Sequence, residues 1–215
     1  MHAVLEHVAQ NGVVAILRGV DPSILVPLGQ ALADAGVGAI EITLNSEGAL
    51  QGIIALKEAI GKKLPIGAGT VMTGEDAHAA IKAGATFVLT PHLAQETLAV
   101  CCHAKIPAVI GVMTPSEVVR AYDLGCEMVK IFPAASIGAN YFRELRGPLP
   151  QIATMAVGGV NKDNAVEFIK AGARAVGAGG QLVDFAAAAR GDWEAVKRKA
   201  NEIVVAVYAA KNKSY

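Results

Sequence analysis

Eight short, almost wholly apolar segments recur along the chain, and longer segments with helical periodicity separate them. Each apolar segment is four to six residues long. Such segments are typical of parallel β-strands that are buried on both faces. The predicted strands are Val13–Leu17, Ala39–Leu44, Ile66–Gly69, Phe87–Thr90, Ala108–Val112, Met128–Phe132, Ala153–Val157 and Ala173–Gly177.

The segments between the strands are amphipathic, and their alanine and leucine content favours helix. Examples are Asp21–Ala35, Gly74–Ala83 and Pro115–Leu124. Gly84, Gly125 and Gly172 follow predicted helices, where a glycine commonly ends a helix in the left-handed conformation. We expect Trp193–Ala210 to form a long closing helix that is followed by a ragged polar tail.

Strands that alternate with helices pair in parallel through right-handed crossovers. Eight such units close most naturally into a (β/α)8 barrel, the TIM-barrel fold of the α/β class. An open doubly wound sheet is the alternative, but the G-x-G-x-x-G fingerprint of that fold is missing after the first strand. We find no linker or change of composition, so we predict one domain over residues 1–215.

Composition excludes several other classes. Hydrophobic residues make up 53% of the chain and charged residues 18%, which is enough apolar surface for a large core. Nineteen basic side chains balance nineteen acidic ones, so the basic excess of a nucleic-acid binder is missing. A net charge of zero with a positive mean hydropathy suggests that some surface is buried in an oligomer.

Targeting signals and cysteine usage bear on the compartment. No apolar run approaches the roughly 18 residues that a membrane helix needs, and we identify no signal peptide at the N-terminus. Cys101, Cys102 and Cys126 do not have the spacing of a disulfide framework or a zinc site. We therefore expect a cytoplasmic protein with three reduced thiols.

In a barrel of this kind, functional groups collect at the carboxyl ends of the strands. The residues that fall there are Arg18, Glu41, Asn45, Thr70, Thr90, Pro91, His92, Thr114, Lys130, Gly158, Gly159, Gly177, Gly179 and Gly180. The other four histidines fall on predicted helices and look like surface residues. No histidines and carboxylates converge with metal-ligand spacing, so we predict no metal.

Lys130 and Glu41 stand out because each is a charged residue within an apolar strand. Desolvation lowers the pKa of a buried lysine and frees an amine that can attack a carbonyl. A buried carboxylate beside such a lysine can act as a general acid or base. A purely structural ion pair between the two side chains is an equally open interpretation.

The glycines after the last two predicted strands form a second group. Gly158, Gly159, Gly179 and Gly180 leave backbone N–H groups free to face an anion, and the helix N-terminus beyond them adds partial positive charge. Phosphate often binds at this position in barrels, although plain tight turns remain an alternative.

Two further residues have more than one interpretation. Arg18 either binds a carboxylate in bidentate fashion or only caps the barrel mouth. For His92 we favour a lining or structural role over a role in catalysis.

Several motifs in order along about 170 residues resemble the 2-keto-3-deoxy-6-phosphogluconate aldolase family. This family also includes the 2-keto-3-deoxy-6-phosphogalactonate and 4-hydroxy-2-oxoglutarate aldolases. The motifs are VVAILRG, EITLNS, IGAGTV, LTPHL, GVMTPSE, VKIFPA, AVGGVN and the glycines near Gly179.

The resemblance implies a homotrimeric class I aldolase that uses neither metal nor cofactor and acts on a phosphorylated keto acid. It implies that Lys130 forms the Schiff base and that Glu41 is the general acid/base. It also implies that Thr70 and Pro91 line the pocket. Gly158, Gly159 and Gly179 match the family's phosphate loops.

The chain departs from the family pattern in three places. Asn45 stands where many gluconate-type members carry the arginine that binds the substrate carboxylate, so Arg18 on the neighbouring strand is the expected substitute. Gly180 replaces a serine that would contact phosphate, and Ile110 replaces a common proline. The choice between gluconate-type and galactonate-type substrates therefore stays open. A 4-hydroxy-2-oxoglutarate aldolase, a non-catalytic phosphosugar-binding barrel and a phosphosugar isomerase or epimerase are the alternatives.

Overall fold

The computed structural model describes residues 1–212, and eight parallel strands in it close into a barrel. The strands are β1 Val13–Leu17, β2 Ala39–Thr43, β3 Ile66–Gly69, β4 Val88–Leu89, β5 Ala108–Val112, β6 Met128–Ile131, β7 Ala153–Val157 and β8 Ala175–Ala178. Each strand pairs with its neighbours in sequence, and β1 pairs with β8. The predicted (β/α)8 barrel is confirmed.

Helices cover the outside of the barrel. They are α1 Ala3–Asn11, α2 Pro22–Asp34, α3 Ala49–Ile60, α4 Gly74–Lys82, α5 Gln95–Ala104, α6 Pro115–Asp123, α7 Ala134–Ile137, α8 Ala139–Arg146, α9 Ala165–Lys170, α10 Phe185–Ala189 and α11 Trp193–Asn212. Residues 1–212 contain more helices than strands. One helix, α1, precedes β1, and two helices follow each of β6 and β8. None of the helices in residues 1–212 combines the length and apolar character that a membrane crossing requires.

Two predicted strand boundaries differ clearly from the structure. β4 covers only Val88–Leu89, and at its carboxyl end the Thr90 hydroxyl replaces backbone groups in the hydrogen bonding. Thr90 Oγ1 accepts from the Gly111 N–H at 2.9 Å and donates to the His92 carbonyl at 2.6 Å. β8 begins two residues later than predicted because the Ala173 N–H still donates to the carbonyl of Phe168 in α9.

The three glycines that were predicted to end helices do so in the structure. Gly84, Gly125 and Gly172 follow their helices with φ of 97°, 92° and 109°, in the left-handed region that favours glycine. The closing helix α11 continues to Asn212, two residues past its predicted end. Most of the expected polar tail, residues 213–215, lies outside the described residues.

The apolar side chains form two layers, as expected for strands buried on both faces. The larger layer lies between the strands and the surrounding helices. The smaller one fills the barrel interior and includes Val14, Ala39, Met128 and Met155, together with Leu5 and Val8 from α1. The side chains of α1 therefore close the amino end of the barrel with apolar packing, and the carboxyl end is left for polar groups.

Candidate active site

Glu41 and Lys130 face the interior of the barrel. Successive side chains of a strand point to opposite faces, so Glu41 shares the inward face of β2 with Ala39, and Lys130 shares that of β6 with Met128. Only 1% of Glu41 and 5% of Lys130 is exposed. Both charged groups therefore lie above the apolar inner layer, at the carboxyl end of the strands.

Two glycines allow close packing around these side chains. A methyl group at Gly69 on β3 would overlap the carboxylate of Glu41. A methyl group at Gly111 on β5 would overlap the backbone at Pro91 and His92. We predicted no role for Gly69 or Gly111 from the sequence, although they stand within the motifs IGAGTV and GVMTPSE. Their function depends on packing against other strands, which the local sequence does not show.

Burial holds both groups toward their neutral forms. Desolvation raises the pKa of Glu41, and the positive charges of Lys130 and Arg18 oppose that shift only in part. Desolvation likewise lowers the pKa of Lys130; the Glu41 carboxylate opposes this shift and the Arg18 charge adds to it. The site thus favours a free amine at Lys130 and a carboxyl group at Glu41 that can carry a proton.

The Lys130 amine is not engaged in an ion pair. None of the ion pairs at 4.0 Å or less in residues 1–212 includes Lys130 or Glu41. Glu41 Oε2 is buried and has no hydrogen-bond partner in the described part of the chain. Lys130 Nζ lies 5.1 Å from the centre of the Phe132 ring. The structural ion pair considered above is therefore not formed, and both groups are available to a third molecule.

Arg18 and Thr70 meet at the rim of the barrel. Arg18 directly follows β1 and is exposed, and its Nη2 donates to Thr70 Oγ1 at 3.3 Å. Thr70 directly follows β3 with a φ of 53°, which is uncommon for a residue other than glycine. The positive charge of Arg18 adds to the lowering of the Lys130 pKa and opposes the desolvation that raises the pKa of Glu41, so this rim side chain influences the interior of the site.

The remaining side chains predicted at the strand ends make fewer contacts. Asn45 is exposed, and its side chain has no hydrogen bond within the described part of the chain. Pro91 is half-buried beside Gly111, and His92 is exposed. Thr114 caps the N-terminus of α6, where its side chain accepts from the Glu117 N–H. These placements agree with a lining role for Pro91 and with a structural role for Thr114.

The glycine loops after β7 and β8 keep their carbonyl groups occupied. The carbonyls of Gly158, Gly159, Gly179 and Gly180 all accept hydrogen bonds from nearby groups. Within residues 1–212, the N–H groups of these four glycines are not donors in any of the loop hydrogen bonds. Four backbone donors are therefore available to an anion at this side of the mouth.

The helix N-terminus after β8 carries an acidic side chain. The side chain of Asp184 accepts from the Ala187 N–H and so caps α10. This carboxylate weakens the attraction for phosphate that we expected from the helix end. After β7, Asn161 and Asn164 instead bond to each other, with the Asn161 N–H donating to Asn164 Oδ1 at 2.8 Å.

The residues described contain no group of three or more histidine, cysteine, aspartate or glutamate side chains that could hold a metal ion. A cavity of about 220 Å³ lies at the opposite, amino end of the barrel. Leu5, Leu98, Cys101 and Glu127 are among the residues that line it, and neither Glu41 nor Lys130 is. The cavity is thus separate from the polar site that contains Glu41 and Lys130.

Comparison with known proteins gives a consistent result. A family model described as KDPG and KHG aldolase matches residues 4–199. The chain is 36% identical over 170 residues to the 2-dehydro-3-deoxy-6-phosphogalactonate aldolase of Escherichia coli K12, covering 79% of this chain and 83% of that protein. It is also 36% identical over 179 residues to the 2-dehydro-3-deoxy-phosphogluconate aldolase of Pseudomonas aeruginosa, covering 83% and 81%.

Solved structures give the same result. A cube-shaped, porous protein cage, designed by fusing symmetric oligomeric domains, superposes with a TM-score of 0.87 at 32% identity, covering 94% of this chain and 74% of that one. The KDPG aldolase of Legionella pneumophila superposes with a TM-score of 0.82 at 27% identity, covering 95% and 96%. In that crystal structure pyruvate is captured as a covalent carbinolamine intermediate.

Proposed function

Because the chain belongs to the KDPG and KHG aldolase family, we propose that it cleaves a 2-keto-3-deoxy-6-phospho sugar acid to pyruvate and glyceraldehyde 3-phosphate. We propose that the reaction proceeds through a Schiff base on Lys130. One observation carries the mechanism: a buried lysine with a lowered pKa lies inside the barrel with a buried carboxylate, and it has no ion-pair partner among residues 1–212. The carbinolamine in the Legionella enzyme supports the same chemistry.

The steps follow from the groups present. The neutral Lys130 amine adds to the C2 ketone, and the carbinolamine loses water to give an iminium ion. Glu41 takes the proton of the C4 hydroxyl, the C3–C4 bond breaks and its electron pair enters the iminium to form an enamine. The C4 fragment leaves as an aldehyde. The enamine is protonated at C3, and water hydrolyses the resulting iminium to pyruvate and free Lys130.

The two ends of the substrate are assigned to the two sides of the mouth. Arg18, held by Thr70, supplies the positive charge for the C1 carboxylate, since an unpaired carboxylate is costly to bury. The glycine loops after β7 and β8 bind the phosphate through backbone N–H groups, with Gly180 contributing no hydroxyl. Asn45, Pro91 and the rest of the rim complete the pocket.

The identity of the sugar acid substrate depends on a few residues of the rim. Overall identity does not separate the two substrates, since both aldolases above are 36% identical to this chain. The use of Arg18 with a neutral Asn45 favours a galactonate-type substrate or a relaxed range. The missing hydroxyl at Gly180 favours 4-hydroxy-2-oxoglutarate, which has no phosphate, as the second candidate. A pyruvate-release assay with all three keto acids separates these possibilities.

We propose that the protein is a homotrimer. Four large apolar side chains on α6 and on the loops before α4 and α6 are 39–49% exposed: Met72, Met113, Val119 and Tyr122. Exposed apolar groups of this kind commonly mark contacts between subunits. The similarity to a cage component built from symmetric oligomeric domains supports an oligomer. The mass in solution, measured by light scattering, tests the trimer.

The three free cysteines support a reducing compartment such as the cytoplasm.

Borohydride trapping tests the mechanism directly. Protein incubated with pyruvate and borohydride should gain one reduced pyruvate adduct on the peptide that contains Lys130. Lys130→Ala should lose both the adduct and the release of pyruvate from substrate. Lys170→Ala, which removes an exposed lysine of α9, is the matched control and should keep both. An adduct on another lysine, or no adduct, would contradict the Schiff base and favour a binding barrel or an isomerase.

A further inference from the structure

The peptide groups on both sides of Arg18 are held by two hydroxyl groups from the end of β2. Thr43 Oγ1 donates to the Leu17 carbonyl at 3.3 Å, and the Gly19 N–H donates to Ser46 Oγ at 2.9 Å. The two hydroxyl oxygens are 3.0 Å apart. Since the proton of Thr43 goes to Leu17, Ser46 is the donor between them. One directional chain of hydrogen bonds therefore encloses Arg18.

Arg18 needs such support because it lies beyond the last residue of β1. Gly19 has a φ of 62°, and a methyl group there would have no heavy atom within 4 Å, so side-chain packing does not fix this turn. A long side chain on a loose turn loses considerable conformational entropy when a ligand fixes it. The contact with Thr70 Oγ1 holds only the tip of the side chain.

We propose that Thr43 and Ser46 are positioning residues that set Arg18 in place for the carboxylate of the keto acid. This inference rests on the proposed function. Neither hydroxyl needs to touch the substrate. Thr43 is fully buried, and its hydroxyl is already used by the Leu17 carbonyl and by Ser46. Their effect on binding should therefore pass through Arg18.

The same turn contains a natural control. Glu47 directly follows Ser46 in sequence, is exposed, and makes no side-chain hydrogen bond in residues 1–212. If the segment matters only as a turn, changes at all three positions should have similar consequences. If the hydroxyl chain matters, Glu47 should differ from Thr43 and Ser46.

The test compares pyruvate with pyruvamide, whose neutral amide replaces the carboxylate. For each protein, borohydride trapping is measured against the concentration of each compound. Ser46→Ala and Thr43→Val should raise the half-saturating concentration of pyruvate about 3- to 10-fold, the scale of one lost hydrogen bond. The value for pyruvamide should stay within about twofold. Thr43→Ser, which keeps the hydroxyl, and Glu47→Gln should behave like the wild type.

A second comparison tests whether the effect passes through Arg18. In an Arg18→Ala background, adding Ser46→Ala should cause no further loss of pyruvate binding, because coupled residues are not additive. Equal losses for pyruvate and pyruvamide, no loss at all, or full additivity with Arg18→Ala would each overturn the inference and leave the aldolase mechanism standing. A wild-type protein that traps neither compound would instead overturn the proposed function and this inference with it.

Discussion

The buried pair and the exposed rim of the same site are built on different principles. Glu41 and Lys130 stand on strands, are almost fully buried, and have pKa values shifted by desolvation. Arg18 and Gly180 stand on loops, are exposed, and keep ordinary solvation. Charge is strongly felt where water is excluded and is screened where water enters. The interior should therefore govern bond making and breaking, and the rim should govern affinity.

The largest expected effect separates chemistry from binding inside the barrel. Glu41→Gln should leave imine formation with pyruvate possible and slow turnover by about 10²–10⁴-fold, the usual contribution of a general acid or base. Borohydride trapping and a pyruvate-release assay on the same preparation measure the two steps. Glu47→Gln, at an exposed position on the following turn, is the control. Near-normal turnover would remove Glu41 from the mechanism and weaken the contrast with the rim.

At the rim, Arg18→Ala should mainly affect affinity, and Lys130 should still form the imine. We expect the KM for pyruvate in the reverse reaction to rise about 10- to 100-fold, since hydrogen bonds to charged groups contribute about 1.5–3 kcal/mol. Asn45→Ala should cost less, because it removes a neutral side chain. If Arg18→Ala behaves like the wild type while Asn45→Ala loses binding, the carboxylate has been assigned to the wrong residue.

A smaller effect is expected at the phosphate side of the rim. Gly180→Asp should raise the KM for a phosphorylated substrate about tenfold by charge repulsion, roughly 1.4 kcal/mol at an exposed site. Gly180→Asn, of equal size and no charge, is the control, and an unphosphorylated keto acid should be affected by neither. Gly180 suits this test better than Gly159, whose φ is 71° and where a methyl group would lie 2.5 Å from Ala135 Cβ. Similar changes for both substrates would mean that the phosphate binds elsewhere.

The smallest effect links the two regions. The positive charge of Arg18 lowers the pKa of Lys130, so Arg18→Ala should raise it. Imine formation needs the neutral amine, whose fraction grows as the pH rises through this pKa. The acid limb of the rate of imine formation should therefore move to higher pH in Arg18→Ala. Arg120→Ala, on the exposed part of α6, should not move it. An unchanged limb in Arg18→Ala would show that the rim does not influence the buried amine.

The fold was largely predictable because the strands are apolar on both faces, which only a covered parallel sheet explains. Lys130 and Glu41 were identifiable for the related reason that a charge within such a strand is conspicuous. The short β4 was not predictable, since it depends on the Thr90 hydroxyl bonding to a residue of the next strand. The hydroxyl chain around Arg18 depends on the register that pairs Leu17 with Ile42, which the sequence does not specify.

Gly69 on β3 affects which residue can stand at position 41 on β2. Its missing side chain is the space into which the carboxylate of Glu41 fits. Gly69→Ala would therefore displace the carboxylate from the place where it stands now. A substitution on β3 can thus change the position of the acid group on β2, so the residues that these two positions accept depend on each other.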